Sequence, residues 1–557
     1  MVSEYADLYK KAVWSLYSYT CDKVQDFSQT RMRTVLFSAL CGAVLAQTSV
    51  DSYVATESPI AKAGMFANIG ADGSKSEGAI SGIVIASPST VNPNYLYTWV
   101  RDSSLVFKVI IDQFTTGQDT TLQDQIQNFI TAETNLQQVS NPSGTVSTGG
   151  LGEPKFNVDG TAFTDPWGDG PALRSTSMIT YANWLLKNTT ASNVLNTIWP
   201  AIKLDLDYVA ANWNQTGHRS LRQGATLATT LGQDASTYTT QADNILCFLQ
   251  SYWNPSGEFI TANTGGGRSG IDANTALASI HTFDPAAGCD ANTFQPCSDK
   301  ALSSLKSRRG RYPEDVYMGG NPWYLTTAAV AEQLYDALAV WNAQGSLSVT
   351  STSLAFFQQF LPSVTAGTYA SSTSTFSTLT AAVKDFAEGF LEIHAKYTPS
   401  GGGLAEQFDR NNGTALSAVD LTWSYAAALT VFAARAGTPT VSWGAADLDV
   451  PSVCEFGPPA PMVAVTFNVV ATTVPGEDIY LTGSVEELQN WSPDTALLMS
   501  PANYPTWSIT VNVPVSTDIQ YKYIRKVNGV LTEWESDPNN EFTSPADGTL
   551  VLNDTWR

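Results

Sequence analysis

Carboxylates, arginines and aromatic side chains cluster in four short stretches of the chain. One stretch contains an adjacent Arg101–Asp102 pair among aromatic residues, and another contains Glu406. Two carboxyl groups can hydrolyse a glycosidic bond: one protonates the leaving oxygen, and in an inverting reaction the other activates water from about 6.5–9.5 Å away. Arginine–carboxylate pairs and aromatic faces can supply the hydrogen bonds and stacking that sugars need. The candidate stretches are residues 95–103, 167–174, 310–324 and 404–424.

Each stretch also has an ordinary interpretation when it is taken alone. An adjacent Arg–Asp pair is usually a surface or capping pair. Glu406 alone is more often a solvated loop carboxylate than a catalytic group, because only perturbed carboxylates in clefts are functional candidates.

The composition of the 557-residue chain excludes several classes of protein. Hydrophobic residues make up 43% and charged residues 14%, which is opposite to the balance of a disordered chain. The formal net charge of −22 offers no basic surface to nucleic acid or to an anionic membrane, so we expect neither partner. The 15 Trp, 22 Tyr and 23 Phe suit stacking on neutral sugars, and they equally suit the core of a large domain.

The first 46 residues predict a targeting signal. Met32-Arg33 precede a short apolar stretch, and Val44-Leu45-Ala46 has the pattern of a cleavage site. This predicts a signal peptide at 32–46, an anomalous extension at 1–31 and a secreted, extracellular protein. The alternative is a cytosolic protein in which the stretch is a core helix. A membrane span is not expected, because it needs about 20 apolar residues.

Four cysteines follow Ala46, and four cysteines can pair in three ways. The simplest pairing closes the loop from Cys289 to Cys297 and leaves Cys247 with Cys454. The spacing is not that of a zinc site and the three histidines do not cluster with it, so we expect no metal and no cofactor. Five sequons fit a secreted glycoprotein, at Asn188, Asn214, Asn412, Asn490 and Asn553.

The hydrophobic period changes near residue 455. From about 170 to 437, apolar residues recur at helical spacing, and long loops between them favour a helical toroid or solenoid with a site on one face. After a Pro-rich linker at 456–461, residues 462–557 alternate with a period of two, which predicts a β-sandwich. The helical stripes are Ile202, Leu206, Val209 and Trp213; Val330, Leu334, Leu338 and Trp341; Leu379, Val383, Phe386, Phe390 and Ile393; and Leu421, Tyr425, Ala428 and Phe432.

Several long strings, in their order, resemble fungal glucoamylases of glycoside hydrolase family 15. They include 149–159, 279–285 and 310–315, and they imply a catalytic domain at 47–455. Residues 462–557 resemble the family 20 starch-binding module, notably at 480–484 and 533–539. The resemblance implies a mainly α fold, an (α/α)6 barrel followed by an antiparallel β-sandwich. It also implies a glucan 1,4-α-glucosidase that releases glucose from starch and maltooligosaccharides with inversion, and we expect a monomer.

The resemblance assigns roles to individual residues. Glu406 is similar to the general base, and Arg101 with Asp102 resembles the pair that grips the terminal glucose. The other substrate-binding residues that it implies are Tyr95, Trp99, Trp167, Arg311 and Trp323. In the module, one starch site is implied by Trp491, Lys522, Trp534 and Asn539. Tyr504 is similar to part of a second site, whose partner Tyr falls at Pro475 here.

The chain departs from the family where the family carries its general acid. The family has an Asp-Leu-Trp-Glu-Glu string soon after Trp-Asn-Gln-Thr-Gly, whereas Gly217 is here followed directly by His218. No Glu occurs between Glu153 and Glu258. The gap indicates a mispredicted or alternatively spliced gene, or a degenerate paralogue. Two functions follow, a glucoamylase or a starch-binding protein with impaired catalysis.

Overall fold

The computed structural model of the protein describes residues 50–164, 170–212, 217–262, 269–307, 320–438, 441–452, 462–545 and 548–557. The predicted signal peptide, the extension before it and the linker at 456–461 lie outside the described residues. Trp167, Trp213, Arg311 and Cys454 lie outside them as well. The domain boundaries therefore stay predictions.

Helices dominate the chain up to residue 438. They are α1 (50–67), α2 (Val100–Thr115), α3 (Gln123–Gln137), α4 (Pro171–Asn188), α5 (Ala191–Thr197), α6 (Trp199–Asn212), α7 (His218–Thr230), α8 (Ser236–Leu249), α9 (Asn274–His281), α10 (Asp299–Ser307), α11 (Tyr324–Gln344), α12 (Leu354–Phe357), α13 (Ser374–Tyr397) and α14 (Thr422–Arg435). Among the described residues, no helix combines the length and the apolar character that a membrane span requires.

Six of these helices form the inner layer of an (α/α)6 barrel. In order around the interior, α7 packs on α4, α4 on α2, α2 on α14, α14 on α11, and α11 on α9. α11 is buried along most of its length, as its stripe Val330, Leu334, Leu338 and Trp341 predicts. The outer helices present one apolar face to this layer, and α6, α8 and α13 pack on α4, α7 and α11 respectively.

The predicted stripe of α13 was displaced from the observed one. The helix begins after Thr373, whose side chain accepts a hydrogen bond from the N–H of Phe376. Its buried face carries Leu379 and Val383 as predicted, and then continues through Ala387 and Leu391. Phe386, Phe390 and Ile393 lie half-buried at the edge of that face. The prediction chose the large side chains of Phe386 and Phe390, whereas the buried position at this point of the helix holds the small Ala387.

Short antiparallel strand pairs shape the loops of the helical region. They are β1 (Thr98–Trp99) with β2 (Lys155–Phe156), β3 (Trp253–Asn254) with β4 (Phe259–Ile260), β5 (Ser346–Val349) with β6 (Gly367–Ala370), and β7 (Gln407–Phe408) with β8 (Ala415–Leu416). A disulfide joins Cys289 to Cys297, with an S–S distance of 2.08 Å. Cys247 is disulfide-bonded too.

The C-terminal region is a sandwich of two sheets. Its strands are β9 (Met462–Val470), β10 (Glu477–Gly483), β11 (Leu497–Leu498), β12 (Ser500–Asn503), β13 (Thr506–Pro514), β14 (Asp518–Val527), β15 (Val530–Trp534), β16 (Asn540–Thr543) and β17 (Thr549–Thr555). One sheet has the order β12-β13-β9-β17, and the other has β11-β10-β14-β15 with β16 also on β14. The alternating residues Val463, Val465, Phe467 and Val469 are buried between the sheets as predicted. One pair departs from the antiparallel prediction, because β17 runs parallel to β9.

A buried ion-pair network joins three helices on one side of the barrel. Arg174 on α4 donates to both oxygens of Asp205 on α6, at 2.8 and 2.6 Å, and to Glu133 on α3 at 3.3 Å. All three side chains are at most 1% exposed. Burial raises the pKa of Glu133 to about 7, although Arg174 opposes the shift.

A second buried carboxyl group, that of Glu57 on α1, lies beside loop 399–406. Glu57 is 2% exposed, and its Oε1 has no hydrogen-bond partner within the described part of the chain. A Cβ at Gly402 would come within 2.9 Å of the other oxygen. Burial raises the pKa of this carboxyl to about 7.

Glu57→Gln is expected to stabilise the protein at pH 8 and to leave its stability unchanged near pH 4. The raised pKa means that the folded state holds the proton more tightly, so the native protein loses stability as the pH rises from about 4.5 through 7. Glutamine removes this loss, which is about 3 kcal/mol at pH 8 for a pKa raised from 4.5 to about 7. Thermal unfolding at both pH values measures it, with the exposed Glu77→Gln as the control. An equal gain at pH 4 would contradict the explanation.

Candidate active site

The loops that precede three inner helices meet at one end of the barrel. Trp99, Trp323 and Leu421 are the residues immediately before α2, α11 and α14. Trp323 forms an antiparallel bridge with Gln407, which ties the loop before α11 to the hairpin β7–β8. The N–H of Thr422 donates to the Ala86 carbonyl at 2.9 Å, which ties α14 to the segment before β1. Three separate parts of the sequence therefore build one face, as the long loops predicted.

Glu406 lies on this face, directly before β7. Its N–H donates to the Ala418 carbonyl at 2.8 Å, and its own carbonyl accepts from the N–H of Tyr324 at 3.3 Å. Glu406 is 3% exposed. The Tyr95 hydroxyl donates to its Oε1 at 3.3 Å, and the Ser417 hydroxyl donates to its Oε2. Two hydroxyl donors favour the ionised carboxylate, the form that can accept a proton.

Arg101 and Asp102 occupy the first turn of α2, among aromatic rings. Arg101 Nε lies 3.5 Å from Asp102 Oδ2, and the guanidinium lies 5.4 Å from the ring centre of Trp99 and 6.0 Å from that of Trp423. His281 stacks on Trp423 with ring centres 6.3 Å apart. Burial, with smaller contributions from Lys108 and Arg219, lowers the pKa of His281 to about 3. The imidazole of His281 is consequently neutral at pH 7.

The structure brings most of the predicted site residues together. Tyr95, Trp99, Arg101, Asp102, Trp323 and Glu406 all lie in the loops or first turns at this end of the barrel. Trp167 and Arg311 lie outside the described residues, so their places stay predictions. The sequence analysis missed Ser417 and Trp423 as site residues. Both residues stood within the candidate stretch 404–424, but Ser417 gave no signal of its own.

The two carboxylates that most closely precede His218 in the sequence are engaged by other side chains. Asp205 is bound by Arg174, and it also accepts a 2.9 Å hydrogen bond from Gln137. Asp207 accepts from the Tyr238 hydroxyl at 2.6 Å and pairs with Lys203 at 2.6 Å. Both carboxylates are therefore held by other side chains.

A second candidate site is a cavity of about 430 Å³ on the sandwich. Trp491, Lys522, Trp534 and Asn539, the four residues of the first predicted starch site, all line it together with residues 535–537. Trp534 is 37% exposed, so its indole can stack on a sugar ring. Lys522 Nζ is fixed by Asp537 at 2.6 Å and by the Glu535 carbonyl at 3.0 Å.

Tyr504 is not among the residues that line this cavity. It lies between β12 and β13 and is 52% exposed. Its hydroxyl accepts from the N–H of Thr473 at 3.2 Å. Its exposed ring is compatible with a separate binding surface, and the second starch site stays a prediction.

Residues 59–433 match the model of the family described as glycosyl hydrolases family 15. Glucoamylase-1 of Schizophyllum commune is 58% identical over 93% of this chain and 98% of its own length. The chain belongs to glycosyl hydrolases family 15. A second family 15 relative, a glucoamylase of Neurospora crassa, is 45% identical over 91% of this chain and 94% of its own length.

The solved structures and the C-terminal region agree with family 15 membership. The family 15 glucoamylase from Hypocrea jecorina superposes with a TM-score of 0.70 at 46% identity, over 91% of this chain and 100% of that one. Residues 462–553 match the model described as the starch binding domain. All the residues that line the cavity of Trp491 and Trp534 fall within this matched range. The chain is thus a glycoside hydrolase with a starch-binding domain.

Proposed function

We propose that this chain is a glucan 1,4-α-glucosidase that acts by inversion at the Glu406 site and releases glucose from chain ends of starch and maltooligosaccharides. The observation that carries the proposal is the Glu406 carboxylate. It is buried and accepts hydrogen bonds from the Tyr95 and Ser417 hydroxyls, at the barrel end that also carries Arg101 and Asp102.

In this reaction Glu406 removes a proton from a water molecule as the water oxygen attacks the anomeric carbon. The bond from that carbon to the leaving oxygen breaks on the opposite face, so the configuration inverts. Arg101 and Asp102 bind the hydroxyls of the terminal glucose, and the Trp99 and Trp323 rings flank the sugar. The Ser417 hydroxyl donates a hydrogen bond to Glu406, which stabilises negative charge on the general base.

The leaving oxygen needs a proton of its own, and the chain lacks the segment that carries the donor in the family. Within the described residues, the upstream Asp205 and Asp207 are bound by other side chains. We therefore propose that water activation is intact while hydrolysis of poor leaving groups is slow. This observation also favours the second candidate function, a starch-binding protein with impaired catalysis.

Glu406→Gln is expected to slow the hydrolysis of α-glucosyl fluoride by about 10²-fold, the usual contribution of a general base. Fluoride leaves without a proton, so this substrate reports on water activation alone. Release of fluoride measures the rate. Glu541→Gln, which removes an exposed carboxylate of the sandwich, is the control. A Glu406→Gln rate equal to that of the unmodified chain would refute the assignment.

We also propose that the protein is secreted, glycosylated and active as a monomer. The pattern at 32–46 supports the signal peptide. The Cys289–Cys297 disulfide suits an oxidising compartment. The sequon residues Asn188, Asn412, Asn490 and Asn553 are all exposed. The intact mass of the secreted chain tests processing and glycosylation together.

A further inference from the structure

The loop that supplies Ser417 has a backbone that side chains seldom adopt. Ser417 and Asp420 have φ values of +64° and +48°. The N–H of Leu421 donates to the Leu404 carbonyl at 2.8 Å, and the N–H of Glu406 donates to the Ala418 carbonyl. The position of the Ser417 hydroxyl relative to Glu406 therefore depends on keeping this left-handed loop conformation, which costs free energy outside glycine.

Three side chains from other parts of the fold hold Asp420 in that conformation. Lys75 Nζ donates to Asp420 Oδ2 at 2.7 Å, and the Tyr425 hydroxyl donates to Oδ1. Asn68 Nδ2 donates to the backbone carbonyl of Asp420 at 2.8 Å. We call Asn68, Lys75, Asp420 and Tyr425 the Asp420 clamp. It connects the segment after α1 to the first turn of α14.

We propose that Asp420 and Tyr425 are positioning residues for water activation, because they hold the loop that aims Ser417 at Glu406. This inference rests on the proposed function of Glu406. Neither side chain touches the carboxylate. Their effect passes through the Ser417 hydroxyl, whose hydrogen bond favours the ionised form of Glu406.

The contacts of the clamp differ in strength. The Lys75–Asp420 pair is partly exposed, with side chains 41% and 21% accessible, and pairs of this kind contribute little. The Tyr425 side chain is buried, so its hydrogen bond to Asp420 is the stronger restraint. We therefore expect the effects to rank Asp420→Ala above Tyr425→Phe, and Tyr425→Phe above Lys75→Met.

The test is the pH dependence of α-glucosyl fluoride hydrolysis by the full chain. Asp420→Ala is expected to lower kcat about tenfold with KM nearly unchanged, and to move the acidic limb of the profile up by about half a pH unit. Asp420→Asn is expected to recover most of the rate, because asparagine tolerates positive φ and keeps an oxygen for Tyr425. Lys203→Met breaks an exposed ion pair on α6 and serves as the matched control.

A double-mutant cycle separates positioning from loss of fold. If the clamp acts through Ser417, Asp420→Ala should move the profile of a Ser417→Ala protein no further. Additive shifts would overturn the proposal, and so would a fall in rate with no shift of the acidic limb. The Glu406→Gln variant separates failure of the clamp proposal from failure of the proposed function. An inactive Glu406→Gln beside an unaltered Asp420→Ala refutes the clamp alone, whereas an active Glu406→Gln refutes the proposed function.

Discussion

Inserting a Leu-Trp-Glu-Glu segment between Gly217 and His218 is expected to raise maltose hydrolysis by about 10²–10⁴-fold, the usual contribution of a general acid. The chain without the insertion should hydrolyse maltose barely. Its α7 begins at His218, the residue that follows the proposed gap. Release of glucose from maltose, followed at several enzyme concentrations, measures the change.

The expected gain depends on the absence of a substitute donor. Arg174 binds both oxygens of Asp205, and recruiting that carboxyl would leave the buried guanidinium with only its longer contact to Glu133. A Leu-Trp-Gln-Gln insertion of equal length is the matched control, because it restores the chain length without an acid. Glu406→Gln in the rescued protein should remove at least about 10² of the gain.

The same proteins should differ little on α-glucosyl fluoride, which needs no proton donor. Rescue by Leu-Trp-Gln-Gln as well as by Leu-Trp-Glu-Glu would show that the segment restores structure and not acidity. Fast maltose hydrolysis by the unmodified chain would mean that another carboxyl group supplies the proton.

The double variant Trp491→Ala with Trp534→Ala is expected to abolish most binding of the isolated residues 462–557 to granular starch. Both indoles line the one cavity, and we take about 1–3 kcal/mol for each stacked ring, by analogy with bases stacked on aromatic side chains. The sandwich has its own buried core of residues from both sheets, so it should fold without the barrel. Depletion of the protein from solution by starch granules gives the affinity.

Two controls keep this result specific. Val530→Ala removes a side chain that is 68% exposed on the same sandwich but lies outside the cavity, and it should bind normally. Thermal unfolding of each variant checks that the sandwich remains folded. Unchanged binding by the double variant would remove the cavity as the starch site and direct attention to the surface around Tyr504.

The fold was largely predictable because its signals are periodic. The alternation in β9 reports burial of one face, and the stripe of α11 reports a buried helix; the structure confirms both, with α11 buried on nearly every side. Ser417 could not be found in this way. Its role depends on a hairpin that brings it back to Glu406 and on a positive φ, and neither leaves a periodic trace. The direction of β17 was missed for a similar reason, since alternation shows which residues are buried and not which way a strand runs.

The parallel pairing of β17 with β9 also governs the timing of folding during synthesis. Thr549 pairs with Ala464 and Thr555 with Val470. The last strand of the sandwich, β17, therefore lies beside its first strand, β9. Until β17 has been made, β9 keeps an open edge that can pair with another chain. Contacts so distant in sequence form slowly. We therefore expect this sheet to be complete only after its C-terminal strand has been synthesised, when β17 replaces β9 as the edge strand.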